Sequence, residues 1–269
     1  KEMKKDSRQT VIFFNASTRL SGMSQNAGFS LVSALALEAQ GINVVELVCE
    51  RGMSHCVLGT NNDQPHSPPP CAECIRTSRN IFEHHNVQVL DFQRDSAIEQ
   101  DLSGMSLDQL LEYEVGDFPA GKLVLPSLRW ILRRHHLKDD EDTCYLTREY
   151  ILSALNLKKQ FEKVVEELNP LAVVVFNGMF YPEAALRWVA QKRGLPVYSH
   201  EVGMLPLSAF FTDQEATAYP VKVDDDFHLT QEQNRILDEF LSRRVQGKFV
   251  TAGIQFWPEM KSLDARFLE

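Results

Sequence analysis

The six residues Leu171-Ala-Val-Val-Val-Phe176 constrain this chain more than any other feature. A run that is apolar at every position has no face to give to water, so it reads as the central strand of a parallel sheet, buried between two helix layers. Parallel strands need crossovers, and the following sequence supplies one. Asn177-Gly178 turns the chain, Pro182 suits a first helical turn, residues 183–193 carry a helix that Gly194 ends, and residues 196–200 form the next strand.

The N-terminal part repeats the pattern. Residues 10–14 form a β-branched and aromatic strand, Asn15 to Gly22 a polar loop, the next residues to about 40 an apolar-periodic helix closed by Gly41, and residues 42–48 a second strand. From 49 to 70 periodicity vanishes, and the proline run that ends in Pro68-Pro69-Pro70 forbids helix or ladder pairing. A helix over 72–85 and a strand over 87–92 follow. The middle third reads as helical over 107–113, 123–136 and 147–168, with the acidic run 138–142 as an exposed connection. Beyond the loop at 201–206, residues 224–245 hold an acidic lead-in and a helix whose last turn carries Arg243 and Arg244, as the helix dipole favours. The expected fold is α/β, a Rossmann-like parallel sheet flanked by helices, in a single domain over 1–269 with a helical insertion at about 102–169.

Charge and cysteine usage narrow the class. A formal net charge of -9 argues against a broad nucleic-acid footprint, which needs a basic face. The cluster from Arg129 to His136 reads as a solvated helix face, or as a local site for an anionic ligand or acidic partner. No stretch reaches the roughly 20 apolar residues of a membrane span, so no transmembrane segment is expected. The N-terminus lacks the apolar core of a signal peptide, so a cytoplasmic location is expected. Five cysteines, an odd number, suit reduced thiols better than a disulfide framework.

In an open parallel sheet, ligands sit outside the carboxyl ends of the strands, so the loops after Phe14, Phe176 and Ser199 form the expected crevice. Asn15, Ser17, Thr18, Arg19 and Gly22 belong to the first loop, and Ser24 and Asn26 stand where a helix start would present N–H groups to an anion. Plain capping and turn chemistry explains the same residues equally well. No P-loop or dinucleotide fingerprint exists here, because Gly22 and Gly28 have neither the spacing nor the lysine. In the second loop, Asn177, Gly178 and Tyr181 let a ligand approach the backbone closely. In the third, His200 beside Glu201 could serve as a general base toward a hydroxyl, with Gly203 closing the loop, although a hydrogen-bonded structural role fits the pair as well.

The cysteines form a second constellation. Cys71-Ala-Glu-Cys74 could place two thiolates on one zinc or other soft metal, with Cys56 as a third ligand and His66, His55 or Cys49 as a fourth. Buried thiols and a redox pair are the other readings of the same spacing.

The stretch from Val173 to Gly203, V-V-V-F-N-G-M-F-Y-P-E-A-A-L-R-W-V-A-Q-K-R-G-L-P-V-Y-S-H-E-V-G, resembles a segment of capsule and surface polysaccharide biosynthesis proteins with a GT-B glycosyltransferase architecture. The C-V-L-G, P-P-C-A-E-C and terminal G-I-Q-F-W-P segments are compatible with it. The resemblance implies two Rossmann-like domains facing across a cleft, of which this chain looks like the first, and the absence of a glycine-rich, acidic donor motif agrees. It further implies a nucleotide sugar as donor substrate, a glycan acceptor, and a C-terminal donor-binding domain as partner. Asn177, Gly178, His200, Glu201 and Gly203 are the residues it carries over. The rival readings are a non-catalytic nucleotide or metabolite binding module and a metal-organised interaction domain.

Overall fold

A computed structural model describes residues 9–16, 22–203, 207–218, 223–246 and 248. The architecture is α/β, as expected: helices flank a six-stranded, mostly parallel sheet in the order β3-β2-β1-β4-β5-β6. The strands are β1 (Thr10–Phe14), β2 (Asn43–Cys49), β3 (Val87–Leu90), β4 (Ala172–Phe176), β5 (Val197–Val202) and β6 (Ala209–Thr212). The helices are α1 (Gln25–Ala39), α2 (Cys71–Ile81), α3 (Ser96–Leu102), α4 (Leu107–Leu111), α5 (Ala120–Leu132), α6 (Glu141–Leu168), α7 (Tyr181–Lys192) and α8 (Gln231–Val245). No helix among the described residues is long and apolar enough to cross a membrane.

β1 lies parallel between β2 and β4, with Ile12 opposite Val45 on one side and Val173 on the other. The chain leaves β1 toward β2 and later returns to pair β4 on β1's other edge. The order thus reverses between β1 and β4, the place in an open parallel sheet where a ligand is expected to bind.

Period-two alternation divides the sheet's apolar residues between two cores. Ile12, Phe14, Val45, Leu47, Val173 and Val175 join the larger core with side chains of α4, α5, α6 and α7. Val11, Phe13, Val44 and Val174 face the other way and meet Ala34 of α1. Both faces of β1 and β4 are therefore consumed, which is why these strands carry no polar residue between Val11 and Phe14 or between Val173 and Val175.

The helices depart from the sequence reading in several places, three of them for a clear local reason, while α2 and α5 also end earlier than expected, at Ile81 and Leu132. α6 starts at Glu141 rather than 147, because the Asp140 carboxylate accepts the Thr143 N–H and Glu141 and Asp142 suit the positive end of the helix. The acidic run is thus a helix start as well as a connection. α5 starts at Ala120 and runs through Pro126, and Ala120, Val124, Leu128 and Ile131 bury one stripe that holds the helix together despite the lost N–H. α3 forms where no helix was expected, capped by Asp95, which accepts from Ala97 and Ile98.

Of the described residues, 9–16, 22–201 and 211–218 form one compact unit, and 202–203, 207–210, 223–246 and 248 form a second. Within the second, α8 opens with a capping box between Thr230 and Gln233 and buries none of its residues.

Candidate functional site at the carboxyl edge of the sheet

The first unit brings the ends of β1, β4 and β5 to one edge through hydrogen bonds around Glu201. Asn26, in the first turn of α1, donates from Nδ2 to Glu201 Oε1 at 2.7 Å. Asn177, just after β4, donates from Nδ2 to Glu201 Oε2 at 2.9 Å. Each carboxylate oxygen is held by an amide from a different neighbouring loop, and charged acceptors make such bonds stronger than neutral ones.

Asn177 is itself fixed. Its N–H donates to the His200 carbonyl at 2.9 Å, its carbonyl accepts from Ala216 N at 2.9 Å, and its Oδ1 accepts from Met179 N at 3.2 Å. It sits in the left-handed region at φ +56, followed by Gly178 at φ +77. Asparagine and glycine tolerate that region best, so the two residue types answer the turn that a buried strand needs to reverse abruptly. A Cβ on Gly178 would stand 2.4 Å from Ser199 Oγ, so the turn after β4 packs directly against strand β5. A cavity of about 230 Å³ lies against Gly178, Met179, Lys122 and Arg187. Farther along the same edge, Ser54, Pro70, Cys71 and Phe92 help line a cavity of about 700 Å³.

The remaining expected residues separate. Asn15 is half-buried at the end of β1, and the amide of Ala16 beside it donates to Glu183 Oε1 at 2.8 Å. Gly22 sits at φ +71 with nothing near its missing Cβ, so it serves the backbone turn alone. Ser24 caps α1 by accepting the Ala27 N–H. Ser17, Thr18 and Arg19 lie outside the described residues, as does the terminal G-I-Q-F-W-P segment. Gly203 belongs to the second unit, where its N–H donates to the Ser208 carbonyl.

Two expectations need correction. Tyr181 does not face the crevice: it is 0% exposed, its hydroxyl donates to the His55 carbonyl, and its ring packs on Tyr150. Its N–H donates to Ser127 Oγ at 2.8 Å, which satisfies one of the open donors at the start of α7. His200 is also 0% exposed, lying between the rings of Phe176 and Phe211. Burial lowers its pKa to about 4, so at neutral pH it is an uncharged core imidazole that a rim ligand does not meet.

Glu183 was not singled out from sequence. It lies in the first turn of α7, buried beneath the loop after β1, and burial pushes its carboxyl up to about 8 although the Ala16 amide pulls it down. The signal was a lone acid among Ala184, Ala185 and Leu186 on a helix that had to be packed against a sheet. A second unread network is Glu149 of α6 with Arg94, which binds both carboxylate oxygens at 3.1 and 2.7 Å, and with His55 Nδ1 at 3.7 Å. Burial pushes the Glu149 carboxyl up, but hydrogen bonds from His55, Arg94 and Ser54 outweigh it and hold the group at about 2.

The expected metal set also changes. His66 stacks on Tyr145 with ring centroids 3.9 Å apart and its Nε2 lies 3.1 Å from Asp142, so it serves α6 and not the cysteines. Cys49, Cys56, Cys71 and Cys74 instead line one small cavity together, and none is in a disulfide. Among the described residues no group of three or more His, Cys, Asp or Glu side chains stands ready to hold a metal ion.

No family model and no curated protein matches the sequence. Among solved structures, the chain is similar to the zinc inhibited form of teicoplanin deacetylase Orf2, at 12% identity over 92% of this chain and 89% of that one, with a TM-score of 0.37. It is also similar to a CDPS from Staphylococcus haemolyticus, at 11% identity over 68% of this chain and 84% of that one, with a TM-score of 0.34.

Proposed function

We propose that this chain is a glycosyltransferase-type domain of surface polysaccharide biosynthesis that holds a hydroxyl-rich ligand, a glycan acceptor or part of a nucleotide sugar, at the carboxyl edge of its sheet. The observation that carries the reading is the Glu201 carboxylate, fixed on both oxygens by Asn26 and Asn177 at the point where the strand order reverses. A carboxylate oriented before the ligand arrives can accept a sugar hydroxyl without reorganising, and it can take that hydroxyl's proton as the oxygen attacks a sugar carbon. With His200 enclosed, Glu201 is the residue of the pair left to carry that role.

Cavity size sets the scale of what binds. Ligand pockets for drug-sized molecules run to about 300–1,000 Å³. The space of about 230 Å³ beside Gly178, which neighbours the Asn177 turn but is not lined by Glu201, has room for a monosaccharide-sized group rather than a whole nucleotide sugar. This agrees with a domain that contributes part of a donor site and depends on a C-terminal partner domain for the rest.

The test is thermal melting with nucleoside diphosphates, nucleotide sugars and short glycans. A ligand at 100 times its Kd stabilises the folded state by about 2.7 kcal/mol, which is easily read as a rise in Tm. One of these classes should raise Tm in the native protein and fail to do so in Glu201→Ala. Indifference of the native protein to all of them would refute the proposal.

A further inference from the structure

Two arginines of this protein show how its guanidinium groups take an acid. Arg79 donates from Nε and Nη2 to the two oxygens of Glu50, both at 2.7 Å. Arg235 does the same to Glu232, at 2.9 and 2.7 Å. The Nε–Nη2 side of the fork sets two parallel N–H groups at the spacing of a carboxylate's oxygens, so it binds both at once.

In Arg187 of α7 that side of the fork has no acid among the described residues. The group makes one ion pair from its other side, where Nη1 donates to Glu215 Oε1. Nε is buried and meets no acceptor. A buried donor left open costs free energy, and such an orphan calls for a water, an ion or a ligand. The side chain is only 16% exposed and is oriented from two directions, by Glu215 and by the Gly178 turn, where a Cβ would stand 3.5 Å from Arg187 Cδ.

Arg187 lines the cavity of about 230 Å³ together with Lys122, Leu123, Pro126 and Met179. Glu215 is the acid of that lining, and it is committed to Nη1. The Lys122 amine is exposed and paired with Glu112 at 2.8 Å, which leaves Arg187 as the enclosed cation. Pro126 has no N–H to give the Lys122 carbonyl one turn before it, so α5 carries an acceptor without its helical donor where it borders this space.

We infer that this cavity takes one carboxylated sugar unit, of the uronic acid class, and that Arg187 selects it by binding both carboxylate oxygens through Nε and Nη2. The inference rests on the sugar-binding reading above and names the class of sugar. Leu123, Pro126 and Met179 offer apolar surface to the ring carbons, and the Lys122 carbonyl can accept a ring hydroxyl. Glu201 does not line the cavity, so the acid group and the reacting hydroxyl are read by different residues.

The experiment is calorimetric titration of the whole chain with glucose, glucuronate, the methyl ester of glucuronate and glucose-6-phosphate. Hydrogen bonds to a charged group are worth enough that the native protein should bind glucuronate about tenfold or more tightly than glucose or the ester. Arg187→Gln should bring these affinities within about twofold of one another, and Arg187→Lys, which keeps the charge without the fork, should recover part of the preference. Glu201→Ala should leave the ratio of glucuronate to glucose unchanged. Equal binding of glucose and glucuronate by the native protein overturns the inference and leaves the sugar site standing. Tighter binding of glucose-6-phosphate than of glucuronate overturns the assignment of a carboxylate. Binding of none of the four overturns the inference together with the reading it rests on. An Arg187-dependent preference for glucuronate, in a protein whose melting with glycans and nucleotide sugars ignores Glu201→Ala, supports the inference and removes Glu201 alone. The native comparison needs no variant, so it decides the matter even where an Arg187 variant fails to fold.

Discussion

Replacing Gly178 by alanine tests the turn that presents Asn177 to Glu201. Two costs are separable. Alanine at φ +77 lies in the left-handed region, which costs an L-residue about 1–2 kcal/mol. The new Cβ would also stand 2.4 Å from Ser199 Oγ, well inside contact, and such overpacking typically costs about 1–3 kcal/mol. Together Gly178→Ala should destabilise by about 2–5 kcal/mol. Ser199 offers a way to divide the sum, because its buried Oγ has no hydrogen-bond partner. Ser199→Ala alone should be neutral or slightly stabilising, since it removes an unsatisfied hydroxyl. The double variant removes the 2.4 Å contact and leaves the Cβ at 3.4 Å, an ordinary separation, so it should recover the overpacking cost of about 1–3 kcal/mol and retain only the backbone cost. Urea unfolding of the four proteins, read by far-ultraviolet circular dichroism, gives the coupling directly. A Gly178→Ala protein within about 0.5 kcal/mol of native, or a double variant no better than the single one, would refute the reasoning.

Three other perturbations have signs set by the structure. His200, lowered to about 4 by burial, refuses a proton that the unfolded chain accepts below about 6.5, so its contribution is full above that value and is lost as pH falls toward 4. From pH 7 to pH 4.5, urea titrations should show native stability falling by about 2–3 kcal/mol relative to His200→Leu, the raised carboxyls of Glu183 and Glu46 acting alike in both proteins. Glu183, raised to about 8, behaves oppositely: the folded chain keeps a proton that the unfolded chain releases above about 4.5, so stability declines as pH rises from there to about 8. Glu183→Gln keeps the acceptor for the Ala16 amide and should stabilise at pH 8 by about 2–3 kcal/mol, with a flatter profile; Glu46, also raised to about 8 by burial, should keep some slope in both proteins. Arg94→Ala leaves the buried Glu149 with His55 and Ser54 only, and because the guanidinium is partly exposed the loss in Tm experiments should correspond to about 2 kcal/mol, less than for a fully enclosed pair.

How much of this was legible in sequence depended on whether a residue's partners were near it in the chain. β1, β2, β4 and β5 were visible because each consumes local apolar residues, and their parallel arrangement followed from the helical segments between them. β6, with only four residues and mixed burial, carried too weak a pattern to be read. Capping by Asp95 and Asp140 lay within four residues of the groups served, and it was missed because both acids also suit an exposed loop. Asn26 and Glu201 stand 175 positions apart, and Ala16 and Glu183 stand 167 apart. Nothing in their own neighbourhoods says that they meet. His66 shows the converse failure: proximity in sequence to Cys71 and Cys74 suggested a shared ion, whereas the chain turns it onto Tyr145 and Asp142.

The pair His200 and Glu201 shows how a single element boundary decides chemistry. Ending the strand at His200 placed Glu201 in a loop, free to curl back and share a proton with the imidazole. β5 continues to Val202, so the two side chains are consecutive residues of one strand and leave it on opposite faces. One face puts the imidazole between Phe176 and Phe211, and the other brings the carboxylate within reach of Asn26 and Asn177. A relay between them would require breaking the ladder bonds that β5 makes with β4, including the pairing of Phe176 with His200. Any acid–base role proposed for this edge therefore falls to a carboxylate oriented by two neutral amides, with the enclosed imidazole taking no part.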